Sequence, residues 1–122
     1  MFYNVADIVD KTIKIEEKRI VMINDLIDEN RNLPTINLLG KVFRKESFKM
    51  ISYYKDIKRE ISNCEVEEID FRTYDKISFL ITEFYNSMFI PNTKTPKEYL
   101  KHEVNIAVDE LALFIVVQGR IV

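Results

Sequence analysis

The spacing of apolar positions divides the chain into four helical segments. In the first, Val5, Val9, Ile13, Glu16, Ile20, Ile23 and Ile27 fall within about 40° of one line at 100° per residue, so a carboxylate sits in the middle of an apolar face. Asn4, three residues before Asp7, makes a variant capping box, and nothing opposes a helix from there to the polar turn Glu29-Asn30-Arg31-Asn32. Pro34 suits the first turn of a second helix, where its missing N–H costs nothing, and this helix is expected to run to about Ile61. Its apolar line of Leu39, Phe43, Glu46, Met50, Tyr53, Ile57 and Ile61 again carries a central carboxylate. Asn63 to Ile69, with Glu65, Glu67 and Glu68, reads as a connection, and helical spacing returns from Asp70 to about Phe89. Pro91-Asn92-Thr93-Lys94 is a loop, and Thr95-Pro96-Lys97-Glu98 is a capping box that opens a last helix ending near Gly119. There Leu100, Val104, Ala107, Leu111 and Phe114 form the expected main stripe. Glu103 and Glu110 lie one heptad apart on its shoulder, and His102 falls on the opposite face, in water.

Helices of about 23 to 27 residues are roughly 35 to 40 Å long, which suits antiparallel packing through short turns. The expected fold is all-α: a ferritin-like antiparallel bundle of three long helices and a shorter crossover helix, in a single domain over residues 1–122. The composition agrees. With 47% hydrophobic and 31% charged residues, 2 Gly and 3 Pro, the chain is neither collagen, linker nor disordered tail. A net charge of −2 argues against nucleic acid as a partner, and the basic run Lys41, Arg44, Lys45, Lys49, Lys55, Lys58 and Arg59 reads as a solvated face. The lone Cys64 excludes an internal disulfide or a Cys-based zinc site, and without a secretory pattern at its start the chain reads as cytoplasmic. Leu111 to Val117 is far too short to span a bilayer, yet it makes the last helix apolar on all sides over two turns. That points to a homodimer through the last helix, the alternative being burial against the crossover helix alone.

The two central glutamates raise the chemical question. An unpaired buried carboxylate costs several kcal/mol, so Glu16 and Glu46 must be protonated, hydrogen-bonded, paired with a cation or bound to a metal. Otherwise the stripe is shallow there and Glu reaches water, or Tyr53 or Tyr54 satisfies it. A single His without a Cys/His neighbourhood weakens any hydrolase, and Gly40 and Gly119 stand alone, which excludes a phosphate-cradling glycine loop.

Carboxylates centred on facing helices resemble the di-iron pattern of ferritin-like bundles. Ile15-Glu16-Glu17-Lys18, with Leu26 ten residues after Glu16, resembles the first metal-binding helix of the rubrerythrin branch. The turn Asn32-Leu33-Pro34, then Leu38-Leu39 and Lys45-Glu46-Ser47-Phe48-Lys49, resembles its second helix. The segment from Thr95-Pro96 onward looks like the third, with Glu103 or Glu110 as the next carboxylate. The resemblance covers residues 5 to 61 and implies a metal set of Glu16, Glu46, Glu103 and Glu110. The chain departs from the family where Glu-x-x-His is expected: it has Glu46-Ser47-Phe48-Lys49, or Ser47 and Met50 in a register shifted by one, so neither supplies a nitrogen ligand. A fourth ligand helix is also missing from the sequence. Lys49, in place of the histidine, is the expected substitute for metal charge between Glu46 and Glu16.

Three functions from different classes follow. One is a degenerate ferritin-like bundle, not an enzyme and without cofactor, kept for binding or scaffolding. A second is a carboxylate-only site for iron or manganese in an oxidoreductase or iron-handling protein. The third is an unrelated helical interaction module that takes a partner helix in an apolar groove. A nucleotide pyrophosphatase built around Glu65, Glu68 and Asp70 is disfavoured, because those residues fall in a connection.

Overall fold

The computed structural model describes residues 5–62 and 70–121, and among these the regular elements are four helices: α1 Val5–Glu29, α2 Pro34–Ser62, α3 Phe71–Ser87 and α4 Pro96–Ile121. The chain is an all-α four-helix bundle. The expected Asn4 cap, Cys64 and the connection carrying Glu65, Glu67 and Glu68 lie outside the described residues.

Local chemistry sets the helix ends. The carbonyl of Leu26 in the last turn of α1 accepts from both the backbone N–H and the side-chain amide of Asn30, at 3.1 and 2.9 Å. Asp70 caps α3: one carboxylate oxygen accepts from the Thr73 N–H at 2.8 Å and the other from the Thr73 hydroxyl at 3.0 Å. Those bonds hold the exposed Asp70 carboxyl below its ordinary range. At the start of α4 the Thr95 hydroxyl accepts from the Glu98 N–H at 3.2 Å, as the capping box requires. The Glu98 carboxylate, however, accepts from the Thr93 hydroxyl at 3.0 Å and so braces the preceding loop. Lys94 ties that loop to the α1–α2 turn by donating to the Asn30 side-chain oxygen at 3.0 Å.

A short turn makes α1 and α2 antiparallel, and they form the most extensive contact of the bundle. α3 runs alongside α1, with Lys18 over the Tyr85 ring, and α4 returns beside α2 and α3. This leaves α1 and α4 on a diagonal, where no Cα of one comes within 8 Å of the other among the described residues. Their connection must therefore be made by side chains. The apolar core has two parts: Ile8, Ile15, Ile77, Ile81, Phe84, Met88, Leu113 and Val117 toward one end, and Leu26, Ile36 and Tyr99 toward the other. Between those parts α1 buries Glu16, and α4 buries Glu103 and Glu110.

Two faces differ from the expected stripes. In α2 the side turned inward carries Ile36, Gly40 and Ser47, all buried, rather than the line through Glu46. The cause is a close approach at Gly40, where a Cβ would meet Ile27 Cγ1 at 2.9 Å and Ile23 Cγ2 at 3.5 Å. Gly40 and Ser47, seven residues apart, let α1 in, and Glu46, 100° further round, turns to solvent. In α4 the inward positions are Tyr99, Glu103, Glu110, Leu113 and Val117, while Leu100, Val104, Ala107 and Leu111 of the expected main stripe are exposed. His102, expected in water, is instead half-buried, with its ring edge-on to Phe89 at 5.0 Å.

Gly40→Leu must push Ile27 aside and lowers stability by about 1–3 kcal/mol in urea denaturation. An unchanged midpoint would remove the close α1–α2 approach as the cause of the α2 orientation.

Candidate functional site

The polar layer between the two apolar clusters is centred on Arg19. Its guanidinium extends from α1 across the diagonal to α4, where Nη2 donates to Glu103 Oε2 at 2.8 Å and Nη1 to Glu110 Oε2 at 3.3 Å. On its own helix, one turn back, Glu16 Oε2 lies 3.8 Å from Nη1, an ion pair without a hydrogen bond. The burial is pronounced: Glu16 is 1% exposed, and the Arg19, Glu103 and Glu110 side chains are 16%, 10% and 11% exposed. Three carboxylates therefore converge on one guanidinium in a low-dielectric layer, where an unmatched charge is expensive.

The excess negative charge falls on Glu110. Burial first, then the neighbouring Glu16 carboxylate, pushes its carboxyl up to about 7 against an ordinary 4.5, although Arg19 pulls the other way. At neutral pH the layer thus holds a proton in part on Glu110, next to Glu16. Burial lowers the affinity of Arg19 for its proton, but Glu103, then Glu16 and Glu110, outweigh it and the net shift is upward. Two tyrosines border the layer. Tyr54 of α2 is raised by burial and then by Glu110 and Glu16, and Tyr99 of α4 by burial and then by Glu103. Both phenols stay neutral. Tyr99 is fully buried and stacked on Phe43, with ring centroids 5.4 Å apart, which seats α4 against α2.

Of the expected ligands, Glu16, Glu103 and Glu110 come together and Glu46 does not. The Glu46 side chain is 61% exposed and pairs at 3.4 Å with Lys49, itself at the surface, so neither joins the interior charges. The shifted register prevails, putting Ser47 in the interior at 1% exposure and Met50 half-buried. The cation that neutralises the interior carboxylates is Arg19, not Lys49. Its signal in the sequence was position: Arg19 follows Glu16 by three, so both project from one side of α1, whereas Lys14 and Lys18, two residues away on either side, do not face it. Of the other basic side chains of α2, Lys41, Lys45, Lys55 and Arg59 are exposed as expected, Arg59 pairing with Asp56, whereas the half-buried Arg44 and Lys58 reach across to α1, bonded to Asn24 at 2.7 Å and paired with Asp10 at 2.8 Å.

The donor set does not fit a metal ion as it stands, because a cationic guanidinium lies 2.8 to 3.8 Å from an oxygen of each converging carboxylate. Among the described residues no group of His, Cys, Asp and Glu side chains is arranged to hold one. No described helix is long and apolar enough to cross a membrane. Comparison with protein-family models, with curated proteins and with solved structures finds no match.

Arg19→Met strands three carboxylates and lowers stability at pH 7 by about 3–5 kcal/mol, whereas Lys49→Met changes it by less than about 1 kcal/mol. Denaturant midpoints of the two variants check this, and equal losses would remove Arg19 from the centre of the cluster. The proton on Glu110 gives a second expectation. A native value near 7 against 4.5 unfolded means that the folded chain binds more protons between those pH values. Stability from this group is therefore full below about 4.5 and is lost as pH rises toward about 7. Melting temperature should fall from pH 5 to pH 7.5, and Glu110→Gln should flatten that slope and raise stability at pH 7.5. A variant as steep as the parent would place the proton elsewhere.

Proposed function

We propose that this chain is a ferritin-like helical bundle whose di-iron centre is degenerate, and that it serves as a non-catalytic binding or scaffold protein. One observation carries the reading: Arg19 lies among Glu16, Glu103 and Glu110, where a metal would have to lie to be held by those carboxylates. A guanidinium supplies one positive charge and five donors in a fixed plane, enough to satisfy much of the carboxylate layer, but it offers no open coordination position and no redox chemistry. The path of the chain is compatible with the resemblance, since α3 runs back along α1 before α4 descends beside α2. The layer then acts as a structural key that fixes how α1 and α4 face one another.

The alternative, a carboxylate-only iron or manganese site, has lost Glu46 and must expel Arg19 from a hydrogen-bonded position. The scaffold reading includes self-association as a homodimer through the last helix, supported by the apolar side chains that α4 turns outward. Anaerobic titration with Fe²⁺ and with Mn²⁺, followed by desalting and elemental analysis, tests the central claim. Metal near zero per chain is expected, and retention of one or more ions per chain would overturn it in favour of the metal-binding reading.

A further inference from the structure

The outer face of α4 is more apolar than its inner face. Leu100, Val104, Val108, Leu111 and Ile115 lie within about 40° of one line. Leu100 is 43% exposed and the other four are 58–61% exposed. Together they form a patch on the order of 500 Å², at the upper end of what an isolated soluble chain leaves uncovered. Rotating α4 would bury this stripe, but it would also withdraw Glu103 and Glu110 from Arg19. The clamp therefore keeps the stripe outside.

We infer that the occupant of this face is a second copy of the chain, with the two α4 helices packed antiparallel about a two-fold axis between residues 109 and 110. The inference deepens the homodimer of the scaffold reading and rests on it. Two stripes of this size cover on the order of 1,000 Å², where specific interfaces begin. The sequence of the stripe is self-complementary in this direction. Val104 meets Ile115, Val108 meets Leu111, and the small Ala107 and Ala112 face each other beside them. Leu100 meets Gly119, where a Cβ would find nothing within 4 Å and a leucine side chain has room. Parallel pairing would instead stack Lys97 and Lys101 on their own counterparts, and antiparallel pairing places Lys101 against Gln118. An isologous contact of this kind closes on itself and leaves no open stripe for further addition.

Sedimentation equilibrium of the full chain at micromolar concentration should give about 29 kDa, twice 14.5 kDa, and Leu111→Lys should give a monomer of unchanged helical circular dichroism. A monomeric parent would overturn both the inference and the homodimer, and a dimeric Leu111→Lys would overturn the assignment of the face. Direction is read by oxidative cross-linking in a Cys64→Ser background. Val108→Cys mixed with Leu111→Cys should yield mostly the mixed disulfide. Efficient cross-linking of Val108→Cys to itself, with little mixed product, would overturn the antiparallel register while leaving the homodimer standing. Neither result depends on metal content, so the titration above tests the cluster independently.

Discussion

One buried guanidinium determines how the rest of the bundle is arranged. α1 and α4 have no backbone approach within 8 Å among the described residues, so their mutual orientation is set by the side chains that span the gap: apolar ones in both core clusters, and between them Arg19, bonded to two positions seven residues apart on α4. Two attachment points one heptad apart fix rotation and axial position together, which a single ion pair cannot do. Such a cluster is a poor source of net stability, because removing its charges from water costs about as much as their attraction returns. Its effect is on specificity: α4 has two apolar faces, and hydrophobic burial alone would not choose the one with the glutamates.

A steric constraint plays the same part for α2. Gly40 admits Ile27 to within contact distance of the backbone, and the small Ser47, one heptad later on the same face, is buried as well. The helix is thereby rotated so that Glu46 faces water, although the apolar residues around Glu46 on a helical wheel outweigh those around Ser47. Close backbone approach brings many dispersion contacts per unit length, while the half-exposed Met50 and Ile57 lose little by sitting at the edge of the interface rather than in it.

This explains which parts of the structure were legible in the sequence. Helix number, the turn at Asn30, the Pro34 and Pro96 starts and the Thr95 cap all follow from local signals, because breakers and caps act within a few residues. The interior position of Glu16 also followed, since its apolar neighbours flank it on both sides. The rotations of α2 and α4 did not follow, because each depends on a partner helix: Ile27 for Gly40 and Arg19 for Glu103 and Glu110. A periodicity sum weighs a glycine as a weak position and a glutamate as a polar one. In this bundle the glycine is the contact and the glutamates are the interior. Placing Glu46 outside and His102 partly inside corrects one shift of register in each helix rather than the fold.

The two constraints have opposite consequences for the surface. At α2 the tight approach turns a charged face outward, where Lys49, Arg59 and their acidic neighbours pair in water at little energetic consequence. At α4 the polar clamp turns an apolar face outward, where water is a poor neighbour. Exchanging these faces would give a conventional monomer with a greasy interior and a charged exterior, and the sequence could reach it by replacing Glu103 and Glu110 with apolar residues. With both glutamates and Arg19 in place, the exposed stripe is a consequence of the interior charges: the layer that holds α4 against α1 is also what leaves its apolar side in water.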